Sequence, residues 1–202
     1  MTPEQRKELY EIKQRLEKLK LTIAVAESLT CGLVQDRIGS VSGSSSVLAG
    51  GVTAYNIDQK VNLLGVDRKF AESCNCVAQG VADQMAMGVC KMFRAQVGIG
   101  TTGYAEPYMG VGYQTRQQPH AFFSIFYSPF DALVAVDEHN FCRGKFDARG
   151  FDPPLSRNEM RNMVADTVIG ALYVFLNSSV FKAEEIARLR AKYKNVAGFA
   201  IF

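Results

Sequence analysis

The stretch Thr22-Ile23-Ala24-Val25-Ala26-Glu27-Ser28-Leu29-Thr30-Cys31-Gly32 decides how the rest of the chain is read. Its first five residues are β-branched or small and apolar with no polar alternation, the pattern of a strand buried on both faces. Glu27 to Gly32 forms the turn out of that strand, and Leu33–Ile38 continues as helix. Strands alternating with helices in this way imply a layered α/β domain. Upstream, Thr2-Pro3-Glu4-Gln5 starts a helix, with Thr2 as cap, Pro3 in the first turn and Gln5 placed to reach back. Leu9, Ile12, Leu16 and Leu19 then recur at spacings of three and four, giving one apolar stripe along residues 3–20.

Downstream, Val47–Tyr55 reads as a second strand broken by Gly50-Gly51, and Asp58–Leu64 as a short helix ended by Gly65. Val77–Phe93 is a longer helix with Val81, Met85, Gly88/Val89 and Met92 on one face. Val97–Thr102 is a third strand, followed by an irregular stretch rich in Gly, Pro and Tyr as far as Pro119. Ala121–Tyr127 and Ala132–Val136 read as a hairpin around Ser128-Pro129-Phe130-Asp131. Asn140–Leu155 reads as a long loop, Arg157–Leu176 as a strong helix and Lys182–Lys194 as a charged amphipathic one. Together these elements predict a three-layer α/β/α sandwich with a mixed sheet.

Composition narrows the class. The 202 residues carry 23 Lys+Arg against 20 Asp+Glu, with 48% hydrophobic and 21% charged residues, which excludes collagen, a disordered tail and a coiled-coil rod. One domain over residues 1–202 is expected, with a helix at 3–20 and a helical tail at 182–202. A net charge of +3 is too mild for a nucleic-acid-binding face. Residues 1–20 are charged throughout and lack the apolar core of a signal peptide. No run approaches the ~18 apolar residues needed to cross a bilayer. A cytoplasmic protein away from membranes is therefore expected, its five cysteines reduced. Cys74-x-Cys76 has no second well-spaced pair, and only His120 and His139 could join it, so neither metal nor cofactor is expected.

Candidate site residues come from the ends of strands, where ligands of open α/β sheets gather. Gly98-Ile99-Gly100-Thr101-Thr102-Gly103 is literally G-x-G-x-x-G, but Pro107 and Gly110 follow it instead of a helix. A dinucleotide fingerprint needs that helix. Gly98 and Gly100 are better read as strand glycines packed closely by helices, with Gly103 placed to turn its backbone towards a ligand. Ser28 stands just past the first strand, where it serves either as a helix N-cap or as a nucleophile. No histidine motif supplies a base, which leaves Lys60, after the strand ended by Tyr55. It is either a solvated helix lysine or a base whose pKa is lowered by burial. Ser179-Val180-Phe181-Lys182 also fits S-x-x-K but lies at a helix end away from the strand ends.

At these residues the chain resembles a known family. Ala26-Glu27-Ser28-Leu29-Thr30-Cys31-Gly32 resembles the A-E-S-C-T-G-G signature of the C-terminal domain of the competence/damage-inducible protein CinA. The resemblance runs on through Gly43-Ser44-Ser45, Gly50-Gly51-Val52-Thr53-Ala54-Tyr55-Asn56 with Lys60, and Leu63-Leu64-Gly65-Val66. It takes in the helix Val77 to Gly88, Thr102-Gly103-Tyr104-Ala105-Glu106-Pro107 against T-G-I-A-G-P, and the helix start Arg157-Asn158-Glu159-Met160-Arg161.

The resemblance implies nicotinamide mononucleotide deamidase activity: metal-free hydrolysis of a carboxamide to carboxylate and ammonia. Ser28 is then the nucleophile, and Lys60 takes its proton directly or through Tyr55. Backbone amides at the start of the Ser28 helix hold the oxyanion. Thr30, Gly32, Ser45, Thr102, Gly103 and Arg157 are the implied substrate-binding positions, with Arg157 suited to a phosphate. A small-molecule nucleotide partner follows. A homo-oligomer is also implied, supported by the two amphipathic helices. Cys31 stands in place of a Gly, Leu29 of a Cys, Ala78 of a capping Ser and Glu106 of a Gly in the substrate loop; Gln118-Pro119-His120-Ala121 departs from K-P-x-G. Two other classes fit the chain. One is a catalytically silent relative that binds a nucleotide or a protein; the other is a nucleic-acid accessory protein, resting on Arg188, Arg190, Lys192 and Lys194, whose plainer reading is a solvated helix face.

Overall fold

A computed structural model describes residues 1–110, 116–128, 140–178 and 181. Its elements in chain order are α1 (Pro3–Leu19), β1 (Ile23–Glu27), α2 (Leu33–Gly39), β2 (Leu48–Thr53), α3 (Ile57–Leu64), α4 (Arg68–Ser73) and α5 (Gln79–Phe93). They continue with β3 (Val97–Tyr104), β4 (His120–Tyr127), β5 (Phe141–Asp147) and α6 (Arg157–Leu176). The sheet order is β2-β1-β3-β4-β5. β1 pairs in parallel with β2 and β3, while β4 and β5 add antiparallel. This is a three-layer α/β/α sandwich with a mixed sheet.

The layers follow from side-chain alternation along β1. Ile23 and Val25 face α1, α2 and α6, whereas Ala24 and Ala26 face α3, α4 and α5. The small residues have a purpose on that second face. A Cβ on Gly98 or Gly100 of β3 would collide with the backbone carbonyls of Ala86 and Ala82, so α5 lies directly on the sheet. These two glycines of the G-x-G-x-x-G run are packing glycines.

β1 lies between β2 and β3, and the crossovers to its two neighbours cover opposite faces of the sheet. The carboxyl ends of β1 and β3 therefore border the crevice where such sheets bind ligands.

Several sequence expectations need correction. The long loop expected over residues 140–155 contains β5, which pairs with β4 along Phe126↔Phe141 to His120↔Asp147. Its sequence F-C-R-G-K-F-D has few apolar residues because it is an edge strand, and charged side chains suit an edge. The expected second hairpin strand, Ala132–Val136, lies outside the described residues, as do the helix Lys182–Lys194 and the rest of the tail. The short helix α4 was not anticipated. The stripe Leu9, Ile12, Leu16 and Leu19 is buried within the chain, in the same core as α6, so it gives no argument for an oligomer. The expected α1 cap is present: Gln5 N donates to Thr2 Oγ1 and Thr2 N to Gln5 Oε1. Among the described residues, no helix is long and apolar enough to cross a membrane.

Candidate functional site

Lys60 is buried for a local reason. Asn56 caps α3 by accepting from Gln59 N. Ile57, Lys60, Val61 and Leu64 then follow at helical spacing, and they are the four residues of α3 that are not exposed. A lysine thus occupies a core position of an apolar stripe. It is 1% exposed and its ammonium finds three acceptors: Ser28 Oγ at 3.0 Å, Ala54 O at 2.9 Å and Tyr55 O at 3.0 Å. Burial pushes its pKa below the usual lysine value, opposed by the neighbouring Cys76 thiol.

Three acceptors match the three donors of an ammonium, and the same contacts also suit a neutral amine. Two of the three acceptors are carbonyls and can only accept. A neutral Lys60 amine keeps two N–H bonds for Ala54 O and Tyr55 O, and its lone pair then faces the Ser28 hydroxyl. The Lys60–Ser28 contact is direct. The Tyr55 hydroxyl instead accepts from Arg157 Nη2 at 2.6 Å, and the side chain sits at the cleft mouth, 53% exposed for the residue as a whole.

Ser28 is held by β3. Its backbone N donates to Thr101 O at 3.1 Å and more weakly to Thr101 Oγ1, which shares a 2.8 Å hydrogen bond with Thr30 Oγ1. Thr30 is fully buried and braces the turn without lining the cleft. On the next residue of β3, Thr102 Oγ1 donates to Cys76 O at 2.6 Å. Consecutive threonines with opposite orientations thereby tie the Ser28 turn and the α4–α5 connection to one strand.

The turn corrects the expected oxyanion donors. Glu27, 1% exposed, accepts from the amides of Gly32, Val34 and Gln35 at 3.0, 3.1 and 2.9 Å. Its carboxylate takes up the amides at the start of α2, a charge-matched cap for a helix N-terminus. Gly32 is therefore a capping position, outside the cleft lining. The amides of Leu29, Thr30 and Cys31 have no acceptor among the described residues. Arg161 of α6 orients this segment: Nε donates to Leu29 O at 3.0 Å and Nη2 to Thr30 O at 3.3 Å. In a trans peptide the C=O and following N–H point oppositely, so these contacts turn the Thr30 and Cys31 amides away from Arg161. Cys31 has φ +51°, a left-handed conformation that favours glycine.

These groups border a cleft of about 590 Å³, within the size range of small-molecule sites. Of the sequence candidates it is lined by Ser28, Tyr55, Lys60, Thr102, Gly103 and Arg157. Ser45 is not brought to it: it lies in the turn Ser44–Ser46 just before the amino end of β2, at the opposite end of the sheet. Tyr104 and Tyr108 form one wall, their rings stacked 4.7 Å apart. At the mouth, Arg157 Nη1 meets Glu106 Oε2 at 2.9 Å. Among the described residues no three His, Cys, Asp or Glu side chains converge to hold a metal ion.

Sequence reading missed Glu27, Thr101 and Arg161 as supporting residues. The one available signal was an acidic residue a few positions ahead of a helix; Thr101 and Arg161 act across separations of 71 to 132 residues and leave no local trace.

A serine beside a buried lysine at the switch point of an α/β sheet defines a class: α/β domains that carry a serine–lysine pair at their strand ends. Within that class the chain belongs to the CinA C-terminal domain family, whose model matches residues 6–116. It is 46% identical over 92 residues to a CinA-like protein of Chlorobium limicola, covering 46% of this chain and 21% of that protein. It is 35% identical over 151 residues to a putative competence-damage inducible protein of Clostridium acetobutylicum, covering 74% of this chain and 32% of that one. The chain thus spans under a third of these two relatives. The fold matches the crystal structure of competence/damage inducible protein CihA from Agrobacterium tumefaciens, with TM-score 0.72 and 24% identity over 88% of this chain and 98% of that one.

Proposed function

We propose that the protein is a metal-independent amidohydrolase that cleaves a nicotinamide-type carboxamide to carboxylate and ammonia, with Ser28 as nucleophile and Lys60 as base. The observation that carries this reading is the 3.0 Å Lys60 Nζ–Ser28 Oγ contact, with both remaining Nζ partners being carbonyls. Ser28 Oγ attacks the amide carbon as its proton passes to neutral Lys60. The oxyanion that forms is met by the Leu29 amide, the one of the Leu29–Cys31 segment whose residue lines the cleft, in a turn held by Arg161; such a donor contributes about 3 kcal/mol in comparable sites. The C–N bond then breaks, Lys60 returns its proton to the leaving nitrogen, and ammonia departs. Water attacks the resulting ester, giving one proton to Lys60; the Ser28 C–O bond breaks, that proton returns to Ser28, and the carboxylic acid product loses its remaining proton to solvent to give the carboxylate. Tyr55, Thr102, Gly103 and Arg157 line the space for the substrate.

The test is ammonia release from a panel of pyridine carboxamides in the presence of EDTA. Release that is abolished by Ser28→Ala and unaffected by chelation supports the reading. No release from any amide by a folded protein overturns it in favour of a family member that binds without hydrolysis.

A further inference from the structure

The charge balance of the cleft points to the form of its substrate. Among the described residues its ionisable lining, apart from Lys60, consists of Arg157, Glu106, Glu72 and the Cys76 and tyrosine side chains. Arg157 is the one cation at the mouth suited to a phosphate, and its guanidinium is already engaged by Glu106 at 2.9 Å and Tyr55 at 2.6 Å. Glu72 is 3.8 Å from Arg68, outside the cleft lining, and leaves a second carboxylate at the rim. With Lys60 neutral, as the proposed chemistry requires, the lining carries one positive and two negative charges. A phosphate would have to displace a carboxylate from Arg157 and then lie beside it. A cationic ring meets the electron-rich rings of Tyr104 and Tyr108 and can enter without breaking the Glu106–Arg157 or Glu72–Arg68 pairs.

We propose that the Glu106–Arg157 pair is a specificity gate that excludes phosphate and selects an unphosphorylated, cationic carboxamide, a pyridinium nucleoside, over its mononucleotide. This rests on the amidohydrolase reading for the chemistry, but the selectivity is a property of binding and can be measured without turnover. Glu106 acts at the mouth. Its carboxylate both occupies the arginine fork and repels the dianion, while the serine–lysine pair lies below it.

The probes are nicotinamide riboside and nicotinamide mononucleotide, which differ by the 5′-phosphate. Their binding to the Ser28→Ala protein is measured by calorimetry, and ammonia release by the Ser28 protein is followed in parallel. The riboside should bind at least about tenfold more tightly, equivalent to roughly 1.4 kcal/mol. Glu106→Gln should close most of that gap by strengthening mononucleotide binding, and the gap in the parent should narrow as salt rises. Equal or tighter mononucleotide binding by the parent overturns the gate, as does a Glu106→Gln change that shifts both ligands alike, or binding of neither. Selective binding without ammonia release would leave the gate standing and overturn only the hydrolytic reading.

Discussion

At the floor of the cleft Lys60 is 1% exposed and Ser28 7%, whereas at the mouth Tyr55 is 53% exposed and the Glu106 side chain 59%. Both regions are held by hydrogen bonds of about the same length, 2.9–3.0 Å at Lys60 and 2.6–2.9 Å at Arg157. Their energetic weight differs because burial differs. Below, the bonds lie out of water, two of the three acceptors are backbone carbonyls, and losing a partner strands a polar group. Above, water and salt screen the same type of contact, and exposed ion pairs contribute roughly 0–1 kcal/mol. The proposal accordingly assigns rate and local stability to the floor and the choice of substrate to the mouth.

The comparison breaks first at Lys60. Lys60→Ala should lower ammonia release by about 10²–10⁴-fold, the usual contribution of a positioned acid–base group, in a protein whose circular dichroism is unchanged. A loss under tenfold would move the base elsewhere. Next is Glu27, the buried cap. Glu27→Ala frees the amides of Gly32, Val34 and Gln35, and urea unfolding should register a stability loss of about 3 kcal/mol, the order expected for charged hydrogen bonds. Stability within 0.5 kcal/mol of the parent, on the order of a neutral surface change, would contradict its assignment as the anchor of α2.

Arg161 sharpens the contrast from the side. It touches two carbonyls of the Ser28 turn and is not itself a lining residue of the cleft. Arg161→Ala should reduce kcat about tenfold, part of one oxyanion donor's contribution, with KM nearly unchanged. A change confined to KM would place Arg161 among the substrate contacts instead. The smallest effects come from two places where the chain carries an unfavourable residue. Ala78 opens α5 without a side-chain cap, and Ala78→Ser should stabilise by about 1 kcal/mol. Cys31→Gly relieves a left-handed cysteine but adds glycine's unfolded-state entropy, so its net gain should be about 1 kcal/mol or less. Thermal unfolding checks both.

Much of this was legible in the sequence, and the limits have physical causes. β1 announced itself through five consecutive small or β-branched residues because both of its faces are buried. α1 showed its start because Thr2 and Gln5 form a capping box. β5 stayed hidden because an edge strand with Arg143, Gly144 and Lys145 at its centre has the composition of a loop. Ser28 and Lys60 were legible as strand-end candidates, and the stripe of α3 marked Lys60 as buried had it been read as a stripe. The Glu106–Arg157 pair was not legible: its residues are 51 positions apart and meet because β3 ends where α6 begins, on the same side of the sheet. The Glu106 carboxylate faces the arginine.

The central claim, that Ser28 is activated by a lysine held neutral through burial, is tested most directly by the pH dependence of kcat/KM for ammonia release. Burial lowers the Lys60 pKa from the usual lysine value of 10.5, so the neutral, proton-accepting fraction grows as pH rises through a midpoint below that value. The measured profile should rise with pH to a plateau, with its midpoint below 10.5, and that limb should vanish in Lys60→Ala. A flat profile across the range in which the protein stays folded, or the same rising limb in the Lys60→Ala protein, would contradict the account.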